Sequence, residues 1–403
     1  MTDRLCPRDE AEVSDAIRWA AAEGRTFELV GGGSKRALGR AVQTDATLDL
    51  SSLAGVELYE PEELVLSAKA ATPLQQIGEL VAAQGQMLAF EPMDYGPLLG
   101  EPPGGGTLGG LLACNLAGPR RLSAGAARDH ALGIRAVSGR GEVFKAGGRV
   151  VKNVTGYDLP RGLAGSYGTL AAFTEITIKV LPRPETQETL LVLGLDDRTA
   201  ARAMSTAVGS YYDVSSAAHL PAPVAALVTP TAAAGTAVTA LRLEGVPASI
   251  RHRRSKLEAL LAPFGSLEAL GEVASQALWR EIRDAVPFAD RTDHAVWRVS
   301  TTPSDGAVIG EAARRCGGSC FYDWAGGLVW MAMPAAEPHA DVVRAAVART
   351  GGHATLVRAT AAHRAALDVF QAPDTVTRAL SGRLKASFDP AGVLNPGRMH
   401  AGM

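Results

Sequence analysis

The sequence predicts an α+β protein of two or three domains, and three observations support this class. The chain has 403 residues, more than one hydrophobic core usually organises. Hydrophobic residues make up 47% and charged residues 20%, a balance typical of globular proteins. From Glu188 onward, strand-like and helix-like patterns alternate as in two split β-α-β-β-α-β units, which predicts a ferredoxin-like second domain.

Composition and charge exclude several functional classes. The net charge of −2 gives no reason to expect nucleic acid or an anionic membrane surface as a partner. No apolar run approaches the ~20 residues that a membrane-spanning helix needs. The N-terminal segment MTDRLCPRDE has no signal-peptide core. These features predict a cytoplasmic protein that could reach a membrane only through partner subunits.

The four cysteines predict neither a disulfide framework nor a metal centre. Only Cys316 and Cys320 lie close in sequence, and no second cysteine pair completes a set of four ligands. We therefore expect no bound metal.

The first part of the chain predicts an anion-binding turn. A helix over 10–23 and a strand over 27–30 lead directly into a glycine-rich turn. Backbone N–H groups, a hydroxyl and an ammonium group together suit an anion, although a plain tight turn has the same composition. The residues of this turn are Gly31, Gly32, Gly33, Ser34 and Lys35.

Two strands and a helix follow this turn. The strands are predicted over 48–50 and 64–68, and the helix runs from Leu74 to Gly85. Thr72 and Gln75 predict a capping box at the start of the helix. The apolar stripe of this helix indicates core packing.

A second glycine-rich stretch, 102–119, contains six glycines and then a short helix that Thr107 opens. A glycine loop that feeds a helix start presents backbone N–H groups, which suits a phosphate. A flexible surface loop is the alternative interpretation.

A hairpin over 134–144 and a polar glycine-rich segment, 147–168, lead to a strand over 171–180. The polar residues of that segment are more than a purely structural loop requires. Beyond it, we expect strands over 189–194, 213–220, 238–243, 295–301, 319–323, 327–332 and 353–358, and helices over 198–208, 249–262, 275–286, 305–315 and 338–349. The chain should end in a fixed, non-helical tail over 388–399.

Together, these motifs resemble the FAD-binding family of vanillyl-alcohol oxidase and p-cresol methylhydroxylase (PCMH). The turn 31–35 matches the first glycine loop of that family over the FAD pyrophosphate. The family's TxGG…N…G loop has its counterparts in Thr107, Gly109, Gly110, Asn115 and Gly118. The tail 388–398 resembles the motif FDPxGxLNPGK, with Arg398 in place of lysine.

This resemblance implies a domain plan with FAD as cofactor. Residues 1–184 would form a PCMH-type FAD-binding domain of two α+β subdomains, and 185–386 a ferredoxin-like α+β cap. The tail 387–403 would pack back on the FAD-binding domain. Family members that bind flavin covalently often carry histidine in the first glycine loop, where this chain has Ser34. We therefore expect non-covalent FAD.

Within this family, VVKNVTGYDLPRGLAGSYGTLAAFTEITIKVLPRP and YDWAGGLVWM resemble segments of the FAD-binding subunits of bacterial glycolate oxidase. That resemblance places Gly168 and Ile176 at the nucleotide portion of FAD, and Asn395 in the closing tail. Near the flavin it places Lys152, Asn153, Gly156, Tyr157 and Asp158.

The resemblance further implies an FAD-dependent oxidoreductase acting on CH–OH groups. It would be a subunit of a glycolate dehydrogenase complex that oxidises glycolate, a 2-hydroxy acid, to glyoxylate. Its partners would be a homologous FAD-containing catalytic subunit and an iron–sulfur subunit that receives the electrons. A stand-alone 2-hydroxy-acid or alcohol oxidoreductase and a non-catalytic structural flavoprotein are the alternatives.

Oxidation of a 2-hydroxy acid requires a base for the hydroxyl proton and a cation for the carboxylate. The candidates that could face the substrate are Tyr322, Asp323, Trp324 and Arg358, each of which could equally pack in the sheet. The catalytic base, and the subunit that performs hydride transfer, stay open at this point. His353 and His363 lie in different predicted elements and are interpreted as structural.

Overall fold

The chain begins with a small parallel sheet, described by a computed structural model that covers residues 3–150, 156–334 and 337–402. Its strands β1 (Asp3–Leu5), β2 (Phe27–Val30) and β3 (Ala46–Asp49) lie in the order β1-β3-β2. Helix α1 (Glu10–Ala22) covers the sheet because Val13, Ile17 and Ala20 face Phe27 and Leu48 in a shared core. The side chain of Asp9 caps this helix by accepting a hydrogen bond from Glu12 N–H.

A five-stranded antiparallel sheet follows, in the order β4-β5-β9-β7-β8. Its strands are β4 (Val56–Glu60), β5 (Val65–Lys69), β7 (Ala131–Ser138), β8 (Val143–Gly147) and β9 (Ala171–Lys179). A separate pair joins β6 (Gln86–Met87) to β10 (Leu181–Pro182). The helices between them are α2 (Leu74–Ala82), α3 (Leu108–Cys114), α4 (Arg121–Ala124), α5 (Ala127–His130) and α6 (Leu159–Leu163). We call β1–β10 with these helices the N-terminal part.

The predicted capping box of α2 is wrong. Pro73 occupies the N-cap position, and no side chain caps this helix. The Thr72 hydroxyl instead donates toward the carbonyls of Gly55 and Lys69, at 3.0 and 2.7 Å. Because these carbonyls bind the Thr72 hydroxyl, it is not available to cap the helix.

The remaining strands form one eight-stranded sheet, in the order β14-β11-β13-β12-β16-β17-β15-β18. Each half has the strand order of a split β-α-β-β-α-β unit, and the two halves meet where β12 pairs with β16. The predicted ferredoxin-like cap is therefore confirmed. We call this sheet and its helices the cap.

The cap strands are β11 (Thr186–Leu193), β12 (Ser216–Leu220), β13 (Val238–Gly245), β14 (Leu267–Leu270), β15 (Ala295–Ser300), β16 (Ser319–Asp323), β17 (Leu328–Met333) and β18 (His353–Arg358). The helices are α7 (Asp197–Val208), α8 (Ala222–Ala225), α9 (Pro247–Leu261), α10 (Glu272–Arg283), α11 (Gly306–Arg315) and α12 (Ala340–Thr350). One face of the sheet packs on the N-terminal part through residues such as Phe321 and Trp330. The other face packs on the cap helices through residues such as Trp297 and Tyr322. Strand residues therefore alternate between two apolar environments.

Two helices that the sequence interpretation missed, α13 (Ala361–Ala366) and α14 (Thr375–Phe388), lead into the tail. Neither contains a buried residue, so neither shows an inward apolar stripe. The tail then returns beside β2, where Leu394 bridges Phe27 in parallel and Phe27 N–H donates to Val393 O at 2.7 Å. The return of the tail is thus confirmed, whereas the domain boundaries at 184 and 386 stay predictions.

Candidate functional site

A cleft of about 830 Å³ lies between the two predicted glycine loops. Gly31–Lys35 follows β2 on one side, and Thr107, Gly109 and Gly110 open α3 on the other. The walls approach so closely that a Cβ atom on Gly32 would lie 2.3 Å from Gly105 O. Thr107 caps α3 by accepting a hydrogen bond from Gly110 N–H at 3.3 Å. The structure therefore brings both predicted loops to one cleft.

Lys35 supplies a buried cation to this cleft. Its ammonium group donates to Ser34 Oγ at 3.0 Å and forms no ion pair with any residue that the structure describes. Burial lowers the pKa of Lys35, because a charge removed from water lacks an anion to offset the loss. An anion in the cleft would supply that partner.

The returning tail forms another wall of the cleft. Asn395 Nδ2 donates to Tyr167 O at 2.9 Å, and Asn395 Oδ1 accepts a hydrogen bond from Leu29 N–H at 3.0 Å. Gly168 lies against this amide, where a Cβ atom would be 2.7 Å from Nδ2. The predicted Gly168 and Asn395 therefore line the cleft, but the Asn395 amide is occupied in joining β2 to the segment before β9.

Sequence reasoning missed the apolar and basic groups of the cleft. These include Leu29, Leu38, Cys114, Tyr167, Phe173 and Arg398. Burial raises the pKa of the Cys114 thiol to about 11, so this group stays neutral near pH 7. Of these residues, only Cys114 and Tyr167 lie within the glycine-rich segments that the sequence analysis identified. The others are ordinary strand, loop or tail residues until the chain folds.

Asn115, Gly118 and Ile176, which were predicted to bind the cofactor, lie outside the cleft. Asn115 ends α3, and its Oδ1 accepts a hydrogen bond from Arg128 N–H at 3.1 Å. Gly118 contacts Glu91 and Arg283, where a Cβ atom would be 2.8 and 2.9 Å from their side chains. Ile176 is fully buried in the hydrophobic core beside β5 and β7. The structure assigns capping or packing to these residues.

The segment predicted to line the flavin is exposed where the structure describes it. Gly156, Tyr157 and Asp158 are all exposed, with 87% of Tyr157 accessible to solvent. Asp158 Oδ1 caps α6 by accepting a hydrogen bond from Arg161 N–H. Lys152 and Asn153 lie outside the described residues.

Tyr322 does not face the N-terminal part, contrary to the prediction that it faces the substrate. Its hydroxyl donates to Asp197 on α7, and its ring packs near His219 and the cap helices. The alternation of β16 explains this outcome, since Phe321 occupies the opposite face.

Arg358 is equally unsuited to bind a substrate, because backbone carbonyls already occupy its guanidinium group. It donates to the carbonyl oxygens of Leu98 and Phe288, each at 2.9 Å, and of His294 at 3.0 Å. Arg358 therefore joins the cap to the N-terminal part.

Asp323 does lie on the sheet face that meets the N-terminal part, and it is 2% exposed. Its Oδ1 accepts a hydrogen bond from Trp324 N–H at 2.7 Å. Burial raises the pKa of Asp323 to about 7, and the nearby charge of Glu91 adds to this rise. This carboxyl group can therefore change protonation near neutral pH.

A buried network of four charges joins the N-terminal part to the cap beside this site. Arg242 donates to both oxygens of Glu91, at 2.7 and 2.8 Å, and Arg120 donates to Glu244 at 2.6 Å. The pKa of Glu91 is lowered to about 2, because Arg242 and Arg120 outweigh its burial. We call Glu91, Arg120, Arg242 and Glu244 the closed network.

Comparison with known proteins identifies the family. A family model of FAD binding domains matches residues 4–147. Glycolate oxidase subunit GlcE of Escherichia coli strain K12 is 34% identical over 406 residues, which cover 99% of each chain. The chain belongs to the GlcE family. It is accordingly an FAD-binding protein of an oxidoreductase family.

Other relatives of this GlcE family member match in part. Glycolate oxidase subunit GlcD of Bacillus subtilis is 38% identical over 125 residues, 31% of this chain and 25% of that protein. D-lactate dehydrogenase of Archaeoglobus fulgidus is 31% identical over 205 residues, 50% of this chain and 43% of that one.

Solved structures confirm the fold of this GlcE family member. The 4-ethylphenol oxidase of Gulosibacter chungangensis superposes with a TM-score of 0.73 at 14% identity, covering 98% of this chain and 88% of that one. p-Cresol methylhydroxylase gives a TM-score of 0.70 at 13% identity, with the same coverage. The predicted PCMH-type architecture is thereby confirmed.

The cleft fits the phosphate portion of FAD. A pyrophosphate requires hydrogen-bond donors and positive charge. The close-set glycine walls and the capped start of α3 supply backbone N–H groups, and Lys35 supplies a buried ammonium group. Which residues contact FAD, and the non-covalent attachment, stay predictions. Among residues 3–150, 156–334 and 337–402, no three His, Cys, Asp or Glu side chains converge as metal ligands. No helix within those ranges is long and apolar enough to cross a bilayer.

Proposed function

We propose that this chain is the FAD-binding subunit of a multi-subunit glycolate oxidase that converts glycolate to glyoxylate and passes electrons to an iron–sulfur subunit. The observation that carries this proposal is the 34% identity with GlcE over the full length of both chains. The cleft supports the cofactor part of the proposal, because its buried Lys35 has no ion-pair partner among the described residues.

In this proposal, residues 31–35 with Thr107, Gly109 and Gly110 hold the FAD pyrophosphate, and Lys35 neutralises its charge. Gly168 lines the same cleft at the nucleotide portion. Bound FAD supplies the acceptor for the hydride of the substrate carbon. The chain itself orients the cofactor between glycine walls. FAD is non-covalent, because a serine hydroxyl at position 34 is not one of the usual attachment groups.

A second flavoprotein and an iron–sulfur protein complete the complex. The partial identity with subunit GlcD supports a homologous flavoprotein as partner. The four cysteines of this chain include only one closely spaced pair, whereas an iron–sulfur cluster takes about four thiolates. Electrons therefore leave through another chain.

Co-expression tests this assignment. The chain should purify with FAD and with two partner proteins, one of them containing iron and sulfide. Glycolate-dependent reduction of an artificial acceptor should require the assembled complex. Full activity of the isolated chain would indicate the stand-alone enzyme, and absence of flavin from the folded chain would indicate a structural subunit.

The cofactor site is tested by Gly32→Ala. A Cβ atom would lie 2.3 Å from Gly105 O and push the two walls apart, so we expect most of the bound FAD to be lost. Gly78→Ala is the matched control, because a Cβ atom there meets open space. Flavin absorbance per folded chain is the measurement, with acid precipitation releasing FAD from the wild type. Equal flavin content in both variants would remove the Gly31–Lys35 turn from the site.

A further inference from the structure

Trp324 is held rigidly between the N-terminal part and the cap. Its indole Nε1 donates to Gly118 O at 3.0 Å, and only 6% of the residue is exposed. The residue directly follows Asp323 at the end of β16. The ring therefore presents a fixed surface to groups from both sides of the boundary.

Two arginines lie over this one ring. The guanidinium carbon of Arg121, from α4, is 4.5 Å from the ring centroid, and that of Arg298, from β15, is 4.9 Å away. Arg298 shares the sheet face of Val296, which packs toward the N-terminal part. The stacking on tryptophan is favourable, but two like charges share one site.

Neither guanidinium has a hydrogen bond or an ion pair with any residue in the described part of the chain. Burial lowers the pKa of Arg121, and repulsion from Arg298 lowers it further. Other stacked arginines differ. Arg242 over Trp279 binds Glu91, and Arg344 over Trp297 donates to the carbonyl of Ala354 at 2.6 Å. Arg121 and Arg298, which we call the open pair, thus have free donors.

Helix α3 connects the cofactor cleft to the open pair. Gly109 and Gly110 in its first turn and Cys114 at its end all line the cleft. The chain then reaches Gly118, whose carbonyl accepts the hydrogen bond from Trp324 Nε1, and Arg121 lies three residues further on. The open pair therefore lies beyond the end of the helix that forms one wall of the cleft.

We propose that Arg121 and Arg298 bind the carboxylate of a short 2-hydroxy acid, with Trp324 fixing the planes of both guanidinium groups. This inference rests on the proposed function and supplies the cation that Arg358 cannot provide. A guanidinium fork matches the two oxygens of a carboxylate, and the bound anion offsets the repulsion between the arginines. The substrate class is a small monocarboxylate with its hydroxyl on the adjacent carbon.

Oxalate tests this assignment without turnover, since it has no C–H bond to oxidise. Isothermal titration calorimetry on the FAD-loaded chain should show binding. Arg121→Gln and Arg298→Gln should each weaken it about tenfold or more, the usual worth of a hydrogen bond to a charged group. Arg298→Lys, which retains the charge but not the fork, should weaken it less.

Arg25→Gln is the matched control, because Arg25, which follows α1 and lies 3.7 Å from Asp3, stacks at 5.4 Å on the exposed ring of Trp19. It should bind oxalate as the wild type does. Unchanged oxalate affinity in the Arg121 and Arg298 variants, or no binding to FAD-loaded wild type, overturns the inference. Loss of FAD from these variants also overturns it, since the arginines would then hold the cofactor.

The outcomes separate this inference from the proposed function. Arginine-dependent oxalate binding without glycolate turnover by the assembled complex would sink the proposed function and leave the carboxylate site standing. Glycolate turnover that survives Arg121→Gln and Arg298→Gln with unchanged KM would do the reverse. A raised KM with flavin content unchanged supports both.

Discussion

The closed network and the open pair lie side by side at the boundary between the N-terminal part and the cap, yet they treat charge in opposite ways. In the closed network, Arg242 is 1% exposed, and its guanidinium donates to Glu91 and Ser216 while stacking on Trp279. In the open pair, Arg121 and Arg298 stack on Trp324, and neither guanidinium forms a hydrogen bond or an ion pair with a described residue. In both regions arginine stacks on tryptophan, but only in the closed network does the guanidinium group donate hydrogen bonds to described residues.

This difference separates structure from function. A buried ion pair with all donors occupied holds two parts of a chain in register and has nothing left to offer a ligand. Half-buried cations such as Arg121 and Arg298 lose part of their hydration in the empty protein, and a bound anion can offset that loss. Asp323 lies between the two regions, since the charges of Glu91, Arg242 and Arg298 all act on it.

The largest expected effect comes from breaking the closed network. Glu91→Ala leaves Arg242 buried without its carboxylate, so the unfolding free energy should fall by about 3–5 kcal/mol. Urea unfolding followed by circular dichroism measures this change. Glu311→Ala, which removes the solvent-accessible partner of Arg315, is the control and should cost far less. Similar losses in the two variants would mean that the network does not stabilise the boundary.

The second prediction concerns Asp323, whose pKa rises from 3.8 to about 7 on folding. Between these values the folded state retains a proton that the unfolded state has lost, so wild-type stability falls as the pH rises. Asp323→Asn removes this fall and should be the more stable protein at pH 8, by at most about 4 kcal/mol.

Unfolding free energies at pH 5 and pH 8 check this prediction. The difference in unfolding free energy between Asp323→Asn and the wild type should widen toward pH 8. Glu91 gives the opposite trend at lower pH, since its pKa falls from 4.5 to about 2 on folding and its contribution is lost as the pH drops between these values. A constant gap between the two proteins would show that Asp323 is ionised at both pH values.

The smallest effect is expected where the open pair is broken. Arg298→Gln removes a cation with no described partner, so the unfolding free energy should change by less than ~1 kcal/mol. For comparison, Arg242→Gln breaks the closed network and should lower the unfolding free energy several times more. A large loss in Arg298→Gln would show that Arg298 has a structural role and would weaken the carboxylate assignment.

Much of the fold was predictable because local patterns and tertiary contacts agree. Strand β2 was predicted at 27–30 and observed at Phe27–Val30, and β18 was predicted at 353–358 and observed at His353–Arg358. Helix α14 was not predicted, although Val376, Leu380 and Leu384 recur every four residues along it; these side chains are 70%, 50% and 42% exposed. A stripe without a core neighbour has no tertiary support.

The candidate site was predictable in its walls but not in its cap. The walls are glycine-rich loops, and a cluster of glycines is visible in the sequence and permits the backbone conformations that such loops need. The direction of Tyr322 depends on which face of a strand meets which layer, and both faces of β16 are buried. An apolar run without alternation does not indicate that choice.

By itself, the sequence determined most of the longer strands and helices, the two glycine loops and the family, since each depends on short-range pattern or direct similarity. The tertiary structure decided which charges are satisfied. Arg358 donates to carbonyl oxygens far from it in sequence, and Arg242 donates to Glu91 across the boundary. The guanidinium groups of Arg121 and Arg298 have no hydrogen-bond partner in the part of the chain that the structure describes. Whether an arginine is structural or available to a ligand depends on partners that only folding brings within hydrogen-bond distance.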